Sequence, residues 1–288
     1  MEPDTAVDYA PIVEGTRSLA GQSAHVETFH SGVICVLDGN GTPITGVGNS
    51  NVSSPLRSTA KAFQLLPFIL DGLHNTLSHG RLAQIKGTRH QHSGLADLAV
   101  MMSSHSGEAM HTQRVEELLR TAGFTPAALR CGTHPPLNAE ASAALIRERH
   151  TPGPLHCNCS GKHANMLLVC KSRRWPIENY LCIKHPLQQR IGTIISILSG
   201  NRPPLPHVID GCSLPTFVLS IKELARLYTH LAYPHDAPNI GKQSLTESLG
   251  LLFHAGVTYP EMIAGTGRLD TELMQVFNGQ VFAKTGAA

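Results

Sequence analysis

LRSTAKAF, residues 56–63, sets a lysine three positions after a serine at the start of an apolar segment. Residues i and i+3 share a helix face, so the spacing predicts that the Lys61 ammonium reaches the Ser58 hydroxyl. In a dry site lysine loses its preference for the charged form. A neutral lysine can take the serine proton and leave a nucleophile. The free backbone amides of a first helical turn favour the developing negative charge. Alone, the pair more often marks a helix start with a solvated lysine.

The chain has 288 residues, 41% hydrophobic and 15% charged, enough apolar content to bury a core. Twenty-three basic residues against 21 acidic give a net charge of +2, with no basic excess that calls for nucleic acid. No apolar stretch is long enough for a membrane span, and MEPDTAVDYAPIVEG, residues 1–15, lacks a signal core. The expectation is a soluble cytoplasmic protein. Seven cysteines, an odd number without a signal peptide, argue against a disulfide framework.

HVETF (25–29) and GVICVL (32–37) read as strands, DGNG (38–41) as a hairpin turn, and PITGVG (43–48) as the return strand. Residues 58–70 read as a buried helix with Pro67 as kink or stop. Residues 74–94 read as a polar loop. Helices are expected at 95–102, 115–124, 164–170, 215–231, 245–254 and 270–277. GQVFAKTGAA, residues 279–288, reads as the start of a strand. The prediction is an α/β (α+β) fold: one antiparallel sheet from residues 12–50 plus 278–288, flanked by helices, with a helical lobe over 55–277, all in a single domain of residues 1–288.

The closing Lys284-Thr285-Gly286 changes the weight of the opening motif. A Ser-x-x-Lys helix start and a Lys-Thr-Gly strand line one active site in serine β-lactamases and penicillin-binding proteins. SSHSGE, residues 103–108, is the candidate polar loop between them, with a serine to shuttle protons. CNCSGKH, residues 157–163, fails as a phosphate loop, because His156 and His163 stand where glycine and Ser or Thr are required. GTGRLD, residues 265–270, is not a dinucleotide fingerprint. Sulfur and nitrogen donors in the 157–163 loop suit zinc, though spacing alone favours buried structural thiols. Asp210, in DGCSLP (210–215), stands at a strand end, where it either binds a substrate amine or bonds the turn backbone.

RSTAK (57–61), SSHSGE (103–108), HCNCSGKHANML (156–167), HPLQ (185–188), DGCSLP (210–215), AGTGRLDTELM (264–274) and KTGA (284–287) occur in this order. Together they resemble the L-asparaginase II family of the inducible Rhizobium etli type, from about residue 12 onward. The resemblance implies a serine β-lactamase/glutaminase-like fold and hydrolysis of L-asparagine to L-aspartate and ammonia. It implies two Ser–Lys pairs, Ser58 with Lys61 and Ser104 with Lys284, with Ser106 as a substitute for Ser104. It also implies zinc on Cys159, Lys162 and Cys212, pocket positions for Arg57, His105 and Asp210, and a homodimer. The family pattern continues past KTGA into a further strand and helix, so a C-terminally truncated member is expected. Ser213 stands where the family usually has glycine, and Asp270 where cysteine is frequent. The alternatives are a truncated, inactive asparaginase-like protein, or another amide hydrolase of glutaminase or β-lactamase-like type.

Overall fold

A computed structural model describes residues 8–18, 25–79 and 94–287. Among these residues the strands are β1 (Ala10–Arg17), β2 (His25–Gly32), β3 (Ile34–Leu37), β4 (Pro43–Val47), β5 (Ser53–Pro55), β6 (His207–Ile209) and β7 (Pro215–Ser220). The helices are α1 (Lys61–Gln64), α2 (Leu66–Leu70), α3 (His74–His79), α4 (Gly94–Met101), α5 (Ala109–Thr121), α6 (Ala139–Arg147), α7 (Ser160–Arg173), α8 (Pro186–Ser199), α9 (Ile221–Ala232), α10 (Thr246–Thr258), α11 (Pro260–Ile263) and α12 (Leu269–Val276).

The fold is mixed α/β, with small antiparallel sheets flanked by helices. Among the described residues the expected single sheet is three separate ones: β1–β2, β3–β4 and the order β5–β7–β6. The hairpin at 38–41 forms, with Gly41 N donating to Asp38 O and Asp38 N to Thr42 O. Its strands β3 and β4 pair Ile34 with Val47 and Cys35 with Gly46. β2 pairs instead with β1, a strand that sequence reading did not identify.

The core is helical. Ala96 through Met101 of α4 are all buried, so this helix sits centrally, with its one charged residue, Asp97, ion-paired to Arg114 of α5 at 2.6 Å. It packs against α5, α7, α10 and α11. Phe63, Leu65, Leu66 and Phe68 complete the core from the segment after Ser58. That segment is not one helix. Arg57–Ala60 form a 3-10 turn, then come α1 and α2, with Pro67 in the first turn of α2 where its missing N–H costs nothing.

Four further expectations are corrected. Residues 215–220 form β7 rather than the start of a helix, because Thr216, Phe217 and Val218 suit a strand and a capping box then starts α9. In that box Ser220 N donates to Glu223 Oε2 at 2.7 Å and Glu223 N to Ser220 Oγ at 3.2 Å. α7 starts at Ser160, not Ala164, and the loop expected at 74–94 contains α3; its remainder, 80–93, lies outside the described residues. The strand expected over 279–288 does not form across 281–287, where no strand among the described residues supplies a ladder.

Candidate active site

The short sheet sets the site's first wall. β7 is its central strand, pairing Pro55 with Val218 on one side and Ile209 with Pro215 on the other. Just past β5, Leu56 N donates to Phe217 O and Arg57 N to Thr216 Oγ1, both at 2.9 Å. These bonds turn the chain at Arg57, whose φ is +50°, and launch the 3-10 turn that carries Ser58. Just past β6, Asp210 N donates to Leu214 O and Ser213 N to Asp210 O, closing a tight turn. Asp210 Oδ1 then meets Arg57 Nη1 at 3.0 Å, so the two strand ends are joined by an ion pair.

The second wall comes from the loop after α4 and from the start of α7. A side chain at Gly161 would place its Cβ 2.0 Å from Val100 O, so only glycine lets α7 run this close to α4. Cys159 is the residue before the helix, and Lys162 lies buried in its first turn.

The contact predicted between Lys61 and Ser58 is not formed. Lys61 is wholly buried, and its Nζ donates to Ser104 Oγ at 2.8 Å, Ser103 O at 2.6 Å and Asn158 O at 3.2 Å. The reason is local geometry. Ser58 sits in a 3-10 turn after a left-handed residue, so it and Lys61 do not stack as on one regular α-helix. Lys284 Nζ reaches the same hydroxyl, Ser104 Oγ, also at 2.8 Å. Ser58 instead lines an open cleft of about 340 Å³ with Arg57, Asp210, Asn158, Cys159 and Cys212.

Ser106 does not share this position. Its hydroxyl donates to Glu108 Oε1 at 2.5 Å, and Glu108 accepts from Thr266 N and Thr266 Oγ1. His105, expected in the pocket, is fully buried. Its Nδ1 accepts from Gly107 N at 3.1 Å and its Nε2 meets Ser160 Oγ at 2.8 Å, while Ser160 Oγ donates to Leu155 O. Both ring nitrogens are therefore used inside the protein, and His105 braces the 103–108 loop rather than facing the cleft. Burial, then the stacked His111 ring, holds its pKa well below the usual range.

Electrostatics follow from the dryness of the site. Burial pushes Lys61 below the usual lysine range, with Cys159 opposing and Lys162 assisting. Burial, then the neighbouring Lys61, lowers Lys284 to about 7. Two ammonium groups on one hydroxyl repel strongly, so the arrangement favours one neutral amine.

All seven cysteines are free thiols. Hydrogen bonds from Cys157 and Cys212 hold Cys159 well below the usual thiol range despite its burial. Lys162 Nζ donates to Cys212 Sγ at 3.0 Å. Burial opposes its charge, yet the Cys159 and Cys212 sulfurs outweigh burial and keep it protonated. Two sulfurs and one amine thus meet in a buried wall of the cleft, a donor set that suits a soft divalent ion once the amine gives up its proton. Among the described residues no group of three His, Cys, Asp or Glu side chains forms such a site without the lysine.

Three further residues were not singled out as site residues from the sequence. Asp270 binds the backbone and hydroxyl of Thr285, the residue after Lys284. His134 Nε2 accepts from Asn158 N at 3.0 Å and steadies the carbonyl that Lys61 uses. Cys131 hydrogen-bonds Cys157 behind Cys159. Each acts across more than ten residues of sequence, so no local motif marks it.

The L-asparaginase II family model matches residues 20–288. The chain belongs to the L-asparaginase II family. It is therefore an asparaginase-type amidohydrolase acting on an amide substrate. No curated relative matches the chain. Among the described residues no helix is long and apolar enough to cross a membrane.

Proposed function

We propose that this protein is an L-asparaginase that releases ammonia from L-asparagine by acyl transfer from amide to serine to water. The observation that carries this reading is the meeting of Lys61 and Lys284 on Ser104 Oγ, beside a cleft lined by Ser58. Ser58 is the nucleophile because it faces the cleft. Its Oγ attacks the side-chain amide carbonyl, and a bridging water carries its proton to the Lys61–Ser104–Lys284 chain, to which Ser58 makes no direct bond. Backbone amides at the start of the Arg57–Ala60 turn hold the oxyanion. The carbon–nitrogen bond breaks as the chain returns a proton to the leaving nitrogen, giving ammonia and an aspartyl ester on Ser58. Water, deprotonated by the same amines, cleaves the ester to aspartate and restores the serine. Arg57 and Asp210, opposite in charge and adjacent in the cleft, suit the α-carboxylate and α-amino groups of a free amino acid.

Cys159, Lys162 and Cys212 would hold zinc. Bound there, zinc supplies a fixed positive centre at the cleft wall that orients a polar substrate group. The same family reading extends to a cytoplasmic homodimer, which sedimentation of the purified chain tests; a monomer at all concentrations contradicts it.

A second reading has one observation in its favour. Both amines bond Ser104, so Ser104 is the more strongly activated hydroxyl and Ser58 a binding residue. Ammonia release from L-asparagine and L-glutamine, together with ring opening of a β-lactam panel followed by absorbance, tests the substrate class. Turnover of asparagine well above the others supports the proposal, and turnover of glutamine or β-lactam alone contradicts it.

A further inference from the structure

We propose that Asp270 is a positioning residue that holds Lys284 on Ser104. This rests on the assignment of Lys284 to the proton-transfer chain. Among the described residues no strand pairs with 281–287, and the only backbone amide of this segment with a hydrogen-bond partner there is Thr285 N, which donates to Asp270 Oδ2 at 2.8 Å. Thr285 Oγ1 donates to the other carboxylate oxygen. The same carboxylate lies 3.9 Å from Lys284 Nζ, whose side chain is fully buried. Asp270 is itself 4% exposed, in the first turn of α12, where free amides favour its negative charge. One buried carboxylate thus grips both arms of Thr285 and faces the ammonium one residue earlier.

The other contacts of the segment leave this role to Asp270. Phe282 packs beside Phe253 and Tyr228, which fixes the chain two residues before Lys284 but not the direction of the lysine. Lys284 Nζ also donates to Thr285 O, so a shift of Thr285 moves the amine directly. The charged and titratable groups acting on Lys284 are Lys61 at α1, Arg268 and Asp270 at α12, and Cys159 before α7. Asp270 is the carboxylate among them, and it raises the lysine's proton affinity against burial.

Asp270→Asn keeps acceptor capacity and removes the charge; Asp270→Ala removes both. The expected result for Ala is a fall in kcat of about 10–100-fold with KM within about twofold, since a small misplacement of a catalytic group is costly. For Asn the rising limb of the kcat/KM pH profile moves to lower pH. The direct readout is pH-dependent acetylation of Lys284 by acetic anhydride, followed by peptide mass spectrometry, which needs no turnover. Its midpoint moves down in Asp270→Asn. An unmoved midpoint and unmoved limb, with Lys284→Ala inactive, overturn the positioning role alone. Full activity of Lys284→Ala overturns the underlying assignment instead. If the Asp270 variants do not fold, Thr285→Val replaces them. It cuts one arm of the clasp and keeps the charge, so kcat falls while the Lys284 midpoint stays; an unchanged kcat overturns the proposal.

Discussion

Lys61 and Lys284 meet at one hydroxyl, each with Nζ 2.8 Å from Ser104 Oγ. A serine hydroxyl has one proton to give, so it can donate to a neutral amine while accepting from a charged one. Ser104→Ala removes the bridge and leaves Ser58 in its cleft. The expected loss in kcat is about 10²–10⁴-fold, the usual range for positioned proton transfer, with KM little changed. Steady-state kinetics on asparagine checks this, and a KM-only effect contradicts it.

The pH dependence follows from the lowered pKa of Lys284, about 7. Its neutral form is the proton acceptor, and that form grows as pH rises through this value. The kcat/KM profile therefore has a rising limb near neutrality, while an exposed lysine would place it some three units higher. A rising limb that starts only above pH 9 contradicts the buried, coupled amine.

The same shift has a stability consequence with the opposite benefit. The unfolded chain holds a proton on Lys284 up to its ordinary 10.5, whereas the folded protein sheds it near 7. Between these values the unfolded state binds more protons, so stability rises with pH, and the full penalty lies below the folded value. Lys284→Met removes this penalty and is expected to gain ~1–3 kcal/mol at neutral pH or below while losing activity. Denaturant melts of both proteins from pH 6 to 10 check it. The difference closes as pH rises; a constant difference contradicts the account.

Ser213 adopts φ +68° in the tight turn that presents Asp210 and Cys212. A side chain in the left-handed region costs about 1 kcal/mol relative to glycine. Ser213→Gly is expected to stabilise the protein by ~1 kcal/mol with kcat/KM within twofold. Destabilisation in a urea melt contradicts a strained turn.

Gly161→Ala tests the seat of α7. The new methyl meets Val100 O, which also accepts from Ser103 Oγ at 2.7 Å, next to the serine that both lysines use. The expected cost is about 1–3 kcal/mol of stability with reduced kcat, because overpacking moves backbone. An unchanged melt contradicts the close approach of α4 and α7.

The sequence was legible wherever a signal is local. The hairpin at 38–41 and the helices near 95–102, 245–254 and 270–277 rest on neighbours within a few residues; Ser58, Lys61 and Lys284 were picked out by short motifs, and Ser104 and the pocket position of Asp210 by the family resemblance. What a long side chain touches is not local. Lys61 was expected on Ser58 by helical spacing, but the partner is set by the 103–108 loop, 42 or 43 positions away. His105 shares that loop with Ser104 yet turns inward to Ser160. The 281–287 segment has strand-like composition, and no ladder forms there because pairing is decided by neighbouring chain. Asp270 lies in the motif-bearing stretch AGTGRLD, but its role exists only once Thr285 is folded against it.

The central claim is that Ser58 carries the acyl group while the two lysines serve Ser104. It is tested most directly by acid-quenching the enzyme during turnover of L-asparagine and locating the aspartyl adduct by peptide mass spectrometry. The account predicts the adduct on the peptide containing Ser58, absent in Ser58→Ala. An adduct on Ser104, or steady ammonia release from Ser58→Ala, would contradict it.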